Sequence, residues 1–179
     1  MRYGEAISRI GDLERELHQM RQALAPPVDA LPSGSFIALE LSVGEEGYLV
    51  PASAVREVIP LVTTQAVPDS PPWMLGNIRY RGQTVPTVDL HRRLGCDVSE
   101  LSVEMVIIVT KEPHTTGFVA TSVGSLRTIE PAHVTAPSAG SVQSSLLHGS
   151  VWSDGSLVHL LSVRQLASEV VGASASDER

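Results

Sequence analysis

Six histidines, one cysteine and a scatter of carboxylates are the first side chains in this chain to consider for bond-making chemistry, and their spacing arms none of them. His18, His91, His114, His133, His148 and His159 fall at intervals unlike those of metal ligands. His91 and Cys96 form an isolated pair on a short helix and its end, with only Arg92 and Arg93 nearby to favour a thiolate. Asp89 stands before an apolar and basic run as a helix cap rather than as a general base. There is no Gly-x-Ser-x-Gly elbow, phosphate loop, dinucleotide glycine fingerprint or His-Glu-x-x-His pair. The reading is of a chain that is not an enzyme and takes no cofactor or metal.

Recognition is the chemistry that remains. Arg79, Arg81, Arg92 and Arg93 form a basic cluster in the sequence, which a small β-barrel would turn toward nucleic acid. A net charge of −7 and an aromatic content of 4% oppose that use, since base stacking needs aromatic rings. Trp73 and Met74 follow two prolines, where a large side chain either plugs a junction between subdomains or projects toward a partner; Trp152 has the same two readings.

The element that positions the arginines is the stretch from Gly76 to Leu90. Gly76 and Gly82 give the backbone freedom on either side of an alternating strand. Thr84 to Val88 reads as a second, β-branched strand, placed at a sheet edge because Pro86 cannot donate to a ladder. Asp89 then caps a helix over 90–94, which ends on basic residues and Gly95. The same phrase returns 73 positions later: Gly149 matches Gly76, Val151 matches Ile78, Gly155 matches Gly82, Val158 matches Val85, and Ser162 takes the place of the cap Asp89. Val163, Leu166, Ala167 and Val170 then form a helical apolar stripe. Upstream, Gly47-Tyr48-Leu49-Val50 resembles Gly117-Phe118-Val119-Ala120. Two copies suit two similar β units on one core, not a solenoid.

The rest of the chain fills in around this repeat. Its 179 residues make one compact domain of two sub-barrels, with a core of Val, Leu and Ile. Residues 1–25 place Tyr3, Ala6, Ile10, Leu13, Leu17, Met20 and Leu24 at heptad spacing, an amphipathic helix that lies on the domain, pairs as a homodimer or docks on a partner helix. A Pro, Gly and Ser linker covers 26–35, the β domain covers 36–171, and 172–179 reads as a disordered tail. Ile37 to Val43 and Tyr48 to Val50 form a hairpin around a turn at Gly44 to Gly47. Val55 to Ile59 is a further strand, Met105 to Val109 a strand buried on both faces, and Lys111 to Thr116 a turn. A single cysteine, no signal-peptide pattern and no membrane-length apolar run point to the cytoplasm, without direct membrane contact.

Pro51, Val55-Arg56-Glu57-Val58-Ile59, Val67-Pro68, Gly76-x-Ile78-x-x-Arg81-Gly82 and Val85-Pro86-Thr87-Val88-Asp89-Leu90 together resemble the CheW domain of bacterial chemosensory adaptors, over 36–170. The resemblance implies a mainly β fold with short helices: two SH3-like five-stranded β-barrels sharing one core. It implies no catalytic centre and no cofactor. The partners it implies are a CheA-type histidine kinase and the cytoplasmic tip of a chemoreceptor, in chemotaxis or, as the departures from the family pattern below would fit, in a dedicated pathway such as pilus motility. Glu57 and Arg81 match the family's acid and arginine that lie near each other on the receptor-facing side. Arg79-Tyr80 stands where the family has Asn-Leu, adding a cation and an aromatic beside Arg81, and Ala120-Thr121 and Ser162 also depart from the pattern. The partner-binding residues are therefore Glu57, Arg81, Arg79, Tyr80 and Trp73. An accessory regulator of the same fold, competing with other adaptors instead of coupling, is the alternative.

Overall fold

The computed structural model describes residues 31–96, 105–111, 114–137 and 142–174. Ten strands lie in chain order: β1 (Phe36–Val43), β2 (Glu46–Pro51), β3 (Val55–Pro60), β4 (Met74–Tyr80), β5 (Gln83–Asp89), β6 (Met105–Lys111), β7 (His114–Ala120), β8 (Ser122–Ile129), β9 (Leu147–Ser153) and β10 (Ser156–Leu161). Helix α1 (Leu90–Leu94) follows β5 and helix α2 (Val163–Ser174) follows β10. The strands form two five-stranded sheets, ordered β8-β1-β2-β10-β9 and β3-β6-β7-β5-β4. The fold is mainly β, with two five-stranded SH3-like barrels.

The chain enters the first barrel through the β1–β2 hairpin, builds the second with β3 to β7, and returns to complete the first with β8 to β10. In each sheet the middle strand joins the two parts by a short parallel ladder, β2 with β10 and β7 with β5. The 73-residue shift carries β4 onto β9 and β5 onto the span of β10 and Ser162. Both hairpins turn on two residues with positive φ, Arg81-Gly82 and Asp154-Gly155. Gly76 and Gly149 are fixed by close approach: a methyl group would meet the carbonyl oxygens of Gln65 and Thr135, each at 2.4 Å. Those segments lie beside the next strand through the bridges Gln65 to Asn77 and Thr135 to Ser150.

The core has three parts. Ala38, Leu49, Ile129, Val151, Val158 and Leu160 fill the first barrel, and Ile78, Tyr80, Val85, Val106, Ile108 and Val119 fill the second. Between them Leu41, Val43, Val50, Val88, Ile107 and Phe118 pack with Leu90 and Leu94 of α1 and with Val163, Leu166 and Val170 of α2. This junction is the shared core, and the helices belong to it because each hairpin delivers a capped helix onto the same apolar surface. Asp89 accepts from the N–H groups of His91 and Arg92, Gly95 closes α1 at φ 70°, and Ser162 accepts from Gln165 N. Arg93 of α1 grips Glu169 of α2 through two hydrogen bonds of 2.8 and 2.7 Å.

Several local expectations change. β5 is an interior strand, not an edge, because the ladder to β7 starts at Thr87 and leaves Pro86 beside β4 alone. The first hairpin turns on Gly44 and Glu45 only, with Glu46 and Gly47 already in β2. The span expected as a turn from Lys111 to Thr116 is mostly strand, pairing Lys111 with His114 and Thr110 with Thr115. β2 and β7 do correspond, but Leu160 pairs with Leu49 where the equivalent Thr87 pairs with Gly117, a two-residue offset from the sequence match. Residues 172–174, expected in the tail, belong to α2, which runs to Ser174, and the rest of the expected tail lies outside the described residues. Leu31, assigned to the linker, packs against the first barrel's core. The expected N-terminal helix, and with it the homodimer, lies outside the described residues.

Candidate protein-binding surface

Glu57 projects from β3 and meets two residues of the β4–β5 hairpin. Its Oε2 accepts from Arg81 Nη2 at 2.9 Å and from the Tyr80 hydroxyl, so one carboxylate oxygen is shared by the last residue of β4 and the first of the turn. β3 and β4 are the two ends of the second sheet, and this contact closes the seam between them. The Tyr80 ring is buried in the barrel core while its oxygen reaches out. The Arg81 guanidinium carbon stands 5.5 Å from that ring's centre. Arg81 is 64% exposed and Glu57 35%, so the pair faces solvent as well as the seam.

The electrostatics follow from these contacts. The Tyr80 hydrogen bond, then that of Arg81, hold the Glu57 carboxyl below its ordinary range. The same carboxylate raises the Tyr80 phenol and the Arg81 guanidinium above theirs. At neutral pH the cluster is one carboxylate, one guanidinium and one neutral phenol.

The first barrel holds a counterpart. Arg127 of β8 reaches Ser153 Oγ at 2.5 Å and Asp154 Oδ2 at 2.6 Å, the residues matching Tyr80 and Arg81 in the repeat, while its Nε bonds Glu40 at 2.7 Å. The Asp154 carboxyl is held low, chiefly by the Arg127 hydrogen bond. This network was not read from the sequence, although the repeat sets Asp154 on Arg81.

The remaining expected residues scatter. Arg79 is exposed on β4, bonding Thr84 Oγ1 at 3.3 Å. Trp73 lies before the start of β4, about 23 Å along the strand from Tyr80 at roughly 3.3 Å per residue. It is half-buried against the shared core with the Arg93 guanidinium 5.7 Å from its ring, so the structure does not bring it to the Glu57 cluster. Trp152, the repeat partner of Arg79, is 72% exposed and pairs across strands with exposed Leu157. The basic cluster of the sequence does not form: Arg92 bonds Pro72 O and pairs with Asp89, Arg93 is taken by Glu169, and both lie past the far end of β5 from Arg79 and Arg81.

The residues considered for catalysis have structural partners. His91 is buried, its Nε2 2.7 Å from Thr121 Oγ1. Cys96 sits 3.5 Å from the Tyr48 hydroxyl and 3.6 Å from Glu46, and burial is the leading cause that pushes the Tyr48 phenol up. Among the described residues no group of three His, Cys, Asp or Glu side chains is placed to hold a metal, and no helix is long and apolar enough to cross a membrane.

Comparison with known proteins agrees with this architecture. A solved structure of the scaffolding protein TtCheW from Thermoanaerobacter tengcongensis superposes with a TM-score of 0.66 at 22% identity, covering 72% of this chain and 89% of that one. The probable chemotaxis protein CheW of Rhizobium etli is 33% identical over 84 residues, 47% of this chain and 54% of its own length. The chemotaxis protein CheW of Rhizobium meliloti is 31% identical over 100 residues, 55% of this chain and 64% of its own length. The chain thus spans between half and two thirds of these relatives. A profile of the CheW-like domain matches residues 38–171, from β1 into α2 and across both barrels, and by that match the chain belongs to the CheW-like domain family.

Proposed function

We propose that this chain is a non-enzymatic cytoplasmic adaptor that couples the cytoplasmic tip of a chemoreceptor to a CheA-type histidine kinase, with Glu57, Tyr80 and Arg81 at the receptor-facing contact. The observation that carries the reading is the backbone of Arg81. It occupies the left-handed region at φ 48°, where a type I′ turn favours Asn, Asp or Gly. The matching turn in the first barrel has Asp154 there at φ 50°. An exposed ion pair repays little of that conformational cost. Arginine at the turn is therefore poorly explained by stability and well explained by a partner that needs a guanidinium.

The two barrels give a chain of this kind two surfaces, so receptor and kinase bind together and receptor conformation biases the kinase's active population. The test is autophosphorylation of the CheA-type kinase from the same genome, alone, with this protein, and with this protein plus a receptor-tip fragment. Activation that needs both additions is the expected result. Binding to the kinase without activation would instead favour a competing accessory regulator, and binding to neither would remove the adaptor reading.

A further inference from the structure

The seam between β3 and β4 is closed at two points, by Glu57 on Tyr80 at one end and by the Gln65 to Asn77 bridge at the other. Between these closures β4 contributes only Ile78 and Arg79, whereas the facing chain runs through residues 58–64. The longer side must bow outward. It leaves a cavity of about 390 Å³ lined by Val62, Thr63, Thr64, Gln65, Arg79 and Thr84, among others.

Three features of this cavity point to one kind of occupant. First, Asn77 exchanges both backbone hydrogen bonds with Gln65, 2.7 and 2.8 Å, on the side of β4 away from β5. Strand alternation directs the N–H and C=O of Arg79, two residues on, to the same side, where no described backbone group pairs with them. Second, the Arg79 guanidinium has Thr84 Oγ1 as its one described polar contact, whereas Arg81 on the same hairpin has a carboxylate. Third, Val62 is an exposed aliphatic side chain on the opposite wall.

We infer that this slot binds a short extended peptide segment of a partner protein, which adds to the β4 edge at Arg79, sets an acidic side chain on the Arg79 guanidinium and lays an aliphatic side chain against Val62. Backbone pairing supplies affinity and the carboxylate supplies selection. A simple anion needs only the guanidinium; the open N–H and C=O pair favours a peptide. The first barrel gives the contrast, because the repeat position of Arg79 there is Trp152, so an acidic segment has no cation to meet at that place.

The experiment is an amide NMR titration of the full chain with the blocked peptide Val-Glu-Val-Glu-Val, its glutamine counterpart, a version N-methylated at the central valine and glutamate, and sodium acetate. The acidic peptide is expected to shift amides within 62–65 and 77–80, with at least ten-fold weaker binding for the glutamine peptide, for the N-methylated peptide and for the Arg79→Gln variant. Equal binding of the glutamine peptide overturns the acidic selection, and equal binding of the N-methylated peptide overturns strand addition. Acetate alone reproducing the shifts reduces the site to an anion contact, and no shift with any peptide sinks it entirely. Neither receptor nor kinase is present in this titration, so its failure leaves the coupling reading untouched, and failure of the kinase assay leaves the slot untouched.

Discussion

The two barrels close their seams with the same device in opposite polarity. In the second, an acid on β3 takes a hydroxyl from the end of β4 and a guanidinium from the turn; in the first, a guanidinium on β8 takes a hydroxyl from the end of β9 and an acid from the turn. Closure therefore requires complementary charge and not a particular sign. The turns differ too, since Asp154 suits its left-handed backbone and Arg81 does not. What the fold needs at this place is satisfied more simply in the first barrel, and the excess in the second, an arginine on an unfavourable backbone with a tyrosine beneath it, is where selection for a partner is to be sought.

The largest expected effect tests whether the barrels share one construction rule. Gly76→Ala and Gly149→Ala both drive a methyl group into a carbonyl oxygen of the segment crossing the strand, and Gly76 also sits at φ 129°. Gly149→Ala is expected to cost about 1–3 kcal/mol from overpacking alone, and Gly76→Ala about 1–3 kcal/mol more, since strained backbone adds to the clash. Urea unfolding of the two variants reads both values. A neutral result at either glycine would mean that the bridges Gln65 to Asn77 and Thr135 to Ser150 are not equivalent supports.

Next comes the polarity of the closure. The double variant Glu57→Arg with Arg81→Asp gives the second barrel the charges of the first and places an aspartate in the I′ turn. Its midpoint of urea unfolding is expected to stay at or above that of the parent, because the first barrel already works this way, while receptor-tip binding falls at least ten-fold. Restored binding in the double variant, after loss in each single one, would assign the pair to structure and return the recognition role to its neighbours.

Much of this comparison was legible in the sequence, for a physical reason. Hairpin, turn glycine, capped helix and apolar stripe are local patterns, so the 73-residue repeat and the cap at Asp89 could be read directly. The Glu57 and Arg81 pair came from the resemblance to a family, since no local rule joins residues 24 apart. The Arg127 and Glu40 contact spans 87 positions and the Arg93 and Glu169 contact 76, and only the returning path of β8 to β10 brings them together. Pro86 was misplaced because a proline rule judges one strand, whereas its tolerance here depends on where the neighbouring ladder begins. Arg92 and Arg93 looked like a cluster with Arg79 and Arg81 only along the chain, and β5 holds them apart.

The smallest effect is the pH dependence of the two closures, and it separates their causes. Glu57 and Asp154 both have depressed folded values, so each contributes stability above the ordinary carboxylate range that is lost as pH falls through the lowered value. Stability should therefore rise with pH in that acid window and be flat near neutrality, modestly, because both groups meet solvent. Carboxyl NMR titration resolves the sites. Tyr80→Phe is expected to move Glu57 back up toward the ordinary carboxylate range without moving Asp154, since the Tyr80 hydroxyl is its leading cause. Arg127→Gln should move Asp154 up toward the ordinary carboxylate range without moving Glu57. If Glu57 stays low in Tyr80→Phe and rises only in Arg81→Gln, the hydroxyl is a passenger in the second barrel, and the two closures become simple ion pairs of reversed sign.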